Sequence, residues 1–206
     1  MYFIEKYFPH FLLAVYIIEF ILLGINPVSR DVWWAENLPI MILVASIVVL
    51  YVRGIRFSNP AYLMMFILPF WHTIGGHFTF ERVPFDWFNN LFGFERNMFD
   101  RIGHFSVGLY AYPVIEYFKK YKVANSHFVT YTYAIFFVAF VAMSYELIEW
   151  QYAVREGGEA GLAFLGSQGD IWDAQKDMLM DTLGAIVAGI AYWSSNVFQQ
   201  KDSSVL

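Results

Sequence analysis

Six separate runs of apolar residues, each long enough to cross a bilayer as a helix, constrain this chain more than any other feature. About 20 helical residues span ~30 Å of hydrocarbon. Such runs lie near residues 7–25, 37–53, 60–79, 100–118, 128–151 and 177–198. Inside hydrocarbon every backbone N–H and C=O must be satisfied within the protein, which leaves only helices and closed barrels as spanning structures. The period-two alternation of a barrel is absent. The expected fold is therefore all-α: a polytopic membrane helix bundle of about six transmembrane helices, one integral membrane domain over residues 1–206.

The second run is free of charge from Leu38 to Val52, whereas the third carries Pro69, Gly75 and Gly76. A membrane helix tolerates these only where neighbours re-satisfy the freed backbone groups, so the third span is expected to be kinked and buried. The first run reads as a retained helix, not a cleaved signal. Glu5 stands beside Lys6 where a signal carries a basic cluster, and Gly24 to Pro27 offers no small-x-small site.

Composition narrows function. Hydrophobic residues make up 58% and charged residues 15% of the chain, against roughly a quarter charged in soluble domains. With no Cys there is no disulfide, zinc-thiolate, iron–sulfur or cysteine chemistry. Thirteen Lys and Arg against a net charge of -5 leave no basic footprint for nucleic acid, so membrane lipid is the expected partner.

Six spans put both termini on one side, here side A. Side A holds Lys6, Arg53, Arg56, Lys119, Lys120, Lys122 and Lys201; side B holds Arg30, Arg82, Arg96, Arg101, Arg155 and Lys176. The side A loops are shorter and carry the only cluster, Lys119 to Lys122, so side A and the termini are expected to be cytoplasmic. On side B, residues 81–99 interleave Phe85, Trp87, Phe88, Phe92 and Phe94 with polar residues, as in a segment lying at the headgroups. Residues 157–169 hold five Gly and are expected to be mobile.

Of the 18 acidic residues, all but Glu5, Glu19, Glu116 and Asp202 fall at or just inside side B. At helical spacing Asp170, Asp173, Asp177 and Asp181 share one face leading into the sixth span. Four unneutralised carboxylates there call for a cation, a shared proton or a basic partner. Capping and the helix dipole explain Asp170 and Asp173 equally well, but not Asp181, which lies a turn inside. The fifth span brings Glu146 and Glu149 to the same side, three apart on one face. The fourth opens with Asp100 and His104 one turn apart, so that a carboxylate orients the imidazole or both ligate a cation. His72 and His77 are weaker candidates, separated by about 140° on a helix, with His77 preferred for its boundary position. Glu19 is expected to pair within the bundle with a Tyr, Asn or backbone group, outside the site.

The order of these elements resembles the VanZ-like membrane proteins: Asp100-Arg101-Ile102-Gly103-His104-Phe105, then Glu146 to Gln151, then Asp170 to Asp173 and Asp177 through Ala185. The chain departs from that pattern at Asp181, where those proteins typically carry Asn, and at Trp150, which shifts the Glu-to-Gln spacing. Gly169 through Met178 is more closely similar to the YjdF-type predicted bacterial inner-membrane proteins. The resemblance implies a bacterial inner-membrane, cell-envelope setting, and for the VanZ-like group an association with glycopeptide-antibiotic tolerance; it names no reaction.

Three functions compete. The first is a lipid- or envelope-precursor site with a divalent cation, with Asp100, Asp170, Asp173, Asp177 and Asp181 as candidate metal ligands and His104, Glu146 and Glu149 as candidate catalytic groups, Glu146 doubling as ligand. Oxygen ligands favour Mg²⁺, Ca²⁺ or Mn²⁺, and His104 admits Zn²⁺ or Fe. The second is a proton- or ion-coupled transporter relaying through Glu146, Glu149 and Asp181, with Glu19 and Glu116 as its only hints of continuity to side A. The third is a structural protein whose satisfied polar network sets helix register.

Overall fold

A computed structural model describes the backbone of residues 2–203 and the side chains of residues 6–195 apart from 159, 160 and 163. The side chains of Glu5, Lys201 and Asp202 lie outside the described residues. In chain order the helices are α1 (Tyr2–Leu23), α2 (Arg30–Val52), α3 (Asn59–Phe78), α4 (Asp86–Phe92), α5 (Phe99–Gly108), α6 (Ala111–Lys120), α7 (His127–Glu156), α8 (Gly158–Leu165) and α9 (Asp173–Ser203). The expected spans are α1, α2, α3, α5 with α6, α7 and α9. Ser29, Ser58 and Ser126 start α2, α3 and α7, each accepting a hydrogen bond from a first-turn N–H.

Three helices, α1, α2 and α7, are long and apolar enough on their own to cross a membrane. α9 is more polar because its first turns carry the acidic face. The fourth span is two helices instead of one. Leu109, Tyr110 and Tyr112 donate to carbonyls three residues back, at 3.1–3.2 Å. Pro113 has no N–H to offer the carbonyl of Leu109, so the backbone tightens there instead of running on.

α3, α5, α6 and α9 form the middle of the bundle. α1 and α2 pack on α3, α7 packs on α9 and α6, and the most extensive packing is between α5 and α9. That last contact has a clear cause. A Cβ on Gly108 would meet the backbone of Asp181, Gly184 and Ala185, and one on Gly184 would meet the backbone of Phe105 and Gly108. Only glycine at both positions lets the two backbones touch. Below the crossing, Ala111, Tyr112, Ile115, Ala134, Val138 and Ala188 close the apolar core.

Pro69 sits inside an unbroken α3. It leaves the carbonyl of Met65 without its helical donor, and the Tyr110 hydroxyl donates to that oxygen at 2.8 Å. A neighbouring helix thus supplies the missing bond, as hydrocarbon requires. On side B, α4 buries Phe85 and Asn89 while Trp87, Leu91 and Phe92 stay exposed beside it, as expected of a segment at the headgroups. Residues 157–169 contain the short helix α8. Gly157, Gly158, Gly166 and Gly169 take positive φ at the ends of α8, so they terminate a short helix instead of dissolving it.

Tyr110→Phe removes the donor from a carbonyl in the bundle and is expected to lower unfolding stability in detergent by about 1–3 kcal/mol. Gly184→Val forces α5 away from α9 and should cost more than Tyr110→Phe in the same unfolding measurement.

Candidate functional site

α5 crosses the first turns of α9 on the side B half of the membrane, and the polar face of each helix meets the other. Arg101, 4% exposed, reaches across from α5. Its Nη2 donates to Asp173 Oδ1 at 2.5 Å, its Nη1 donates to the Asp173 carbonyl at 2.9 Å, and it also pairs with Asp177. Arg96, from the loop before α5, donates to the same Asp173 oxygen at 2.5 Å and lies 3.5 Å from Asp170. Asp170 further accepts from Lys176 at 2.6 Å and from the N–H of Trp172 at 3.1 Å. The Lys176 contact first, then the Trp172 N–H, holds the Asp170 carboxyl below the usual carboxylate range. The basic partner that the acidic face calls for is therefore present for Asp170 and Asp173, as charge-assisted guanidinium bonds.

Deeper along the same crossing the partner changes. His104 Nδ1 lies 3.2 Å from Asp181 Oδ2, and its Nε2 lies 3.7 Å from Asp100 Oδ1 and 3.8 Å from Asp177 Oδ1. An ionised carboxylate only accepts, so His104 Nδ1 donates to Asp181, and its Nε2 faces Asp100 and Asp177. One ligand atom from each of Asp100, His104 and Asp177 falls within 4.8 Å of the other two. Asp177 and Asp181 are 3% and 0% exposed; Asp177 Oδ1 is the oxygen that Arg101 Nη1 pairs with, whereas Asp181 Oδ1 has no hydrogen bond among the described residues.

Beside this trio lies a cavity of about 260 Å³, with Asp100, His104, Glu149 and Asp181 on one wall and Glu36 and His72 on another. His72 Nε2 is 3.1 Å from Glu36 Oε2, and the Tyr145 hydroxyl donates to the same carboxylate oxygen at 3.3 Å. Ile40, Leu43, Leu68, Val107 and Phe164 line the remainder. Glu146 is half-buried with Oε1 unpartnered, within electrostatic reach of His104 and Asp177.

The preference for His77 over His72 is corrected. His77 Nδ1 bonds the carbonyl of Leu23 at 2.7 Å and so caps the end of α1, while His72, on the other face of α3, joins the cavity. Glu19 lies outside the site, but the expected partner is not there: neither of its oxygens has a hydrogen bond among the described residues. Glu116 accepts from the N–H and hydroxyl of Ser58 at 2.7 and 2.5 Å, so it serves the start of α3 and offers no step toward side A. Glu36 is the residue that sequence reasoning passed over. Its signal was Ser29 ahead of Arg30 and Asp31, a capped helix start that places Glu36 more than a turn inside α2.

A family model described as Predicted membrane protein (DUF2238) matches residues 8–197. The chain is also similar to Inner membrane protein YjdF of Escherichia coli (strain K12), with 31% identity over 170 residues that cover 81% of this chain and 80% of that protein. Neither is described as VanZ-like, and no solved structure matches. The similarity to YjdF and the apolar helices agree in making this a multi-pass inner-membrane protein.

Arg101→Gln leaves Asp173 and Asp177 buried beside a neutral group and is expected to cost about 3–5 kcal/mol in detergent unfolding. Arg101→Lys should recover only part of that, because an ammonium cannot present the two-pronged donor that Asp173 uses.

Proposed function

The chain belongs to the DUF2238 family of predicted membrane proteins, and we propose that it carries an intramembrane divalent-cation centre acting on a lipid or lipid-linked envelope precursor. Asp100, His104 and Asp177 are the ligands in this reading, and Asp181 orients His104. The observation that carries it is the imidazole held by a buried carboxylate through Nδ1 with Nε2 turned toward two further carboxylates. That is the arrangement in which a second carboxylate fixes the tautomer and raises the basicity of a metal-binding histidine.

Charge supports the same reading. Glu36, Asp100, Glu146, Glu149, Asp170, Asp173, Asp177 and Asp181 face only Arg96, Arg101 and Lys176 as fixed cations, with His72 and His104 besides. Arg96 is shared among Asp100, Asp170 and Asp173 and Arg101 among Asp170, Asp173 and Asp177, so among the described residues Asp181, Glu146 and Glu149 pair with no arginine or lysine. Two carboxylates and one imidazole suit Zn²⁺, Fe²⁺ or Mn²⁺. A metal there would polarise a phosphoryl or carbonyl oxygen or activate water at the cavity edge. The apolar walls of the cavity fit the hydrocarbon part of such a substrate, and Glu149, with Glu146 behind it, stands where a proton would be exchanged.

A second reading, a polar network that only sets helix register, is favoured by the arginine bonds to Asp173. The two part on metal. Protein purified in mild detergent and dialysed against each divalent ion is expected to hold about one ion per chain, a count that follows from a single three-ligand set. His104→Ala and Asp177→Asn should abolish that binding, and Asp181→Asn should weaken it about 10- to 100-fold. Wild-type protein that takes up no divalent ion, or Asp100→Asn and Asp177→Asn variants that bind as well as wild type, would overturn the proposal in favour of the network.

A further inference from the structure

α1 and α2 both lie against α3, their backbones held apart by the side chains between them. At the side B end they are wedged apart by Trp33, whose ring lies 5.3 Å from that of Phe20 and 4.8 Å from that of Trp34. Toward side A the gap becomes a groove of about 290 Å³ floored by α3 and walled by Leu13, Val44, Val48, Tyr51, Met65 and Phe66. Its walls are almost wholly apolar and its residues come from the side A halves of all three helices. Val44 to Val52 covers about 12 Å of helix rise, close to the ~15 Å of one leaflet's hydrocarbon.

The mouth of the groove is basic. Pro9 and His10 line it on α1 and Tyr51 and Val52 on α2. The Arg56 guanidinium stacks 3.5 Å over the Tyr51 ring, and the His10 ring meets Tyr51 edge-on at 5.2 Å. Arg53 follows Val52 directly, and Lys6 lies one turn before His10. Lys6, Arg53 and Arg56 are exposed, and among the described residues no ion pair engages them. Glu116, the carboxylate at this rim, is taken up by Ser58.

From the apolar trough of one-leaflet depth under a rim where, among the described residues, Lys6, Arg53 and Arg56 outnumber the carboxylate of Glu116, we infer that the α1–α2–α3 groove is a binding site for an anionic glycerophospholipid of the side A leaflet. One acyl chain lies along Val44, Val48 and Leu13, and the phosphate headgroup sits among Arg53, Arg56 and Lys6. Basic pockets between membrane helices hold anionic headgroups in this way, the chain providing hold and the charge providing selection. A zwitterionic lipid offers the same chain but gains little from the rim, so selectivity resides in the two arginines. The inference is independent of the cation centre, which lies at the opposite end of the bundle and shares no residue with the groove.

The test is native mass spectrometry of the full chain, extracted in mild detergent and equilibrated with equal amounts of phosphatidylglycerol and phosphatidylethanolamine. A phosphatidylglycerol adduct is expected to outlast the phosphatidylethanolamine adduct. Arg53→Gln with Arg56→Gln should lower that preference about thirty-fold, about fivefold for each guanidinium. Val48→Trp fills the trough and should remove the adduct although the rim is intact. Should Val48→Trp not fold, the arginine pair, being exposed, carries the test alone. Equal retention of both lipids, or a preference untouched by the arginine changes, means ordinary boundary lipid and overturns the inference. A lipid-free dimer that Val48→Trp dissolves also overturns it, because the groove then receives a second copy of the chain.

Discussion

The polar half of this molecule depends on one contact without side chains, the crossing of α5 over α9 at Gly108 and Gly184. Backbone against backbone at that point brings the first turn of α5 within reach of the first turns of α9. Only at such separation can Arg101 bond both the carboxylate and the carbonyl of Asp173, and His104 stand between Asp181 and the pair Asp100 and Asp177. A methyl group at either glycine would lengthen every one of these contacts at once.

The second constraint is electrostatic. A medium that solvates charge poorly makes each buried carboxylate costly unless something positive or a proton answers it. The bundle sorts its answers by depth. Arg96 and Lys176 serve the carboxylates nearest the headgroups, the buried Arg101 reaches from Asp173 to Asp177, and His104 serves Asp181 deeper in. Glu36, Tyr145 and His72 form a further set on the opposite wall of the cavity, joined through a single carboxylate oxygen. Among the described residues, the core cluster around Ile115 and Val138 contains no carboxylate.

The helical bundle was legible because hydrocarbon demands apolar helices, and among the described residues α1, α2 and α7 are long and apolar enough on their own to cross a membrane. The break at Leu109 was not, since residues 100–118 read as one run and the tightening there arises from a missing proline N–H. Asp100, His104, Asp177 and Asp181 could be placed together because helical spacing puts each pair on one face and the run boundaries give their depth. Arg96 and Arg101 were counted as topology signals, since a basic residue near a boundary carries the same sequence whether it faces water or reaches inward. His72 and His77 exchanged roles because nothing in the local sequence of α3 tells that the end of α1 lies beside His77. Glu36 escaped because its helix begins at Ser29, well before the apolar run does.

The split of the fourth span has a mechanical consequence. α5 is a short lever: its N-terminal part, held by the ion pairs of Arg101 and the Trp71 bond to Phe99, carries Asp100, Arg101 and His104, while its fulcrum is the glycine crossing and its other end is α6, locked in the apolar core by Ala111 and Ile115. Asp100 stands eight residues from Gly108, about 12 Å along the helix, so a tilt of about 5° at the fulcrum moves it by about 1 Å. Ligand distances tolerate only about 0.2 Å. For the proposed cation centre, small changes in helix angle, such as a bilayer of different thickness imposes, would then decide between an assembled and a dismantled set of ligands.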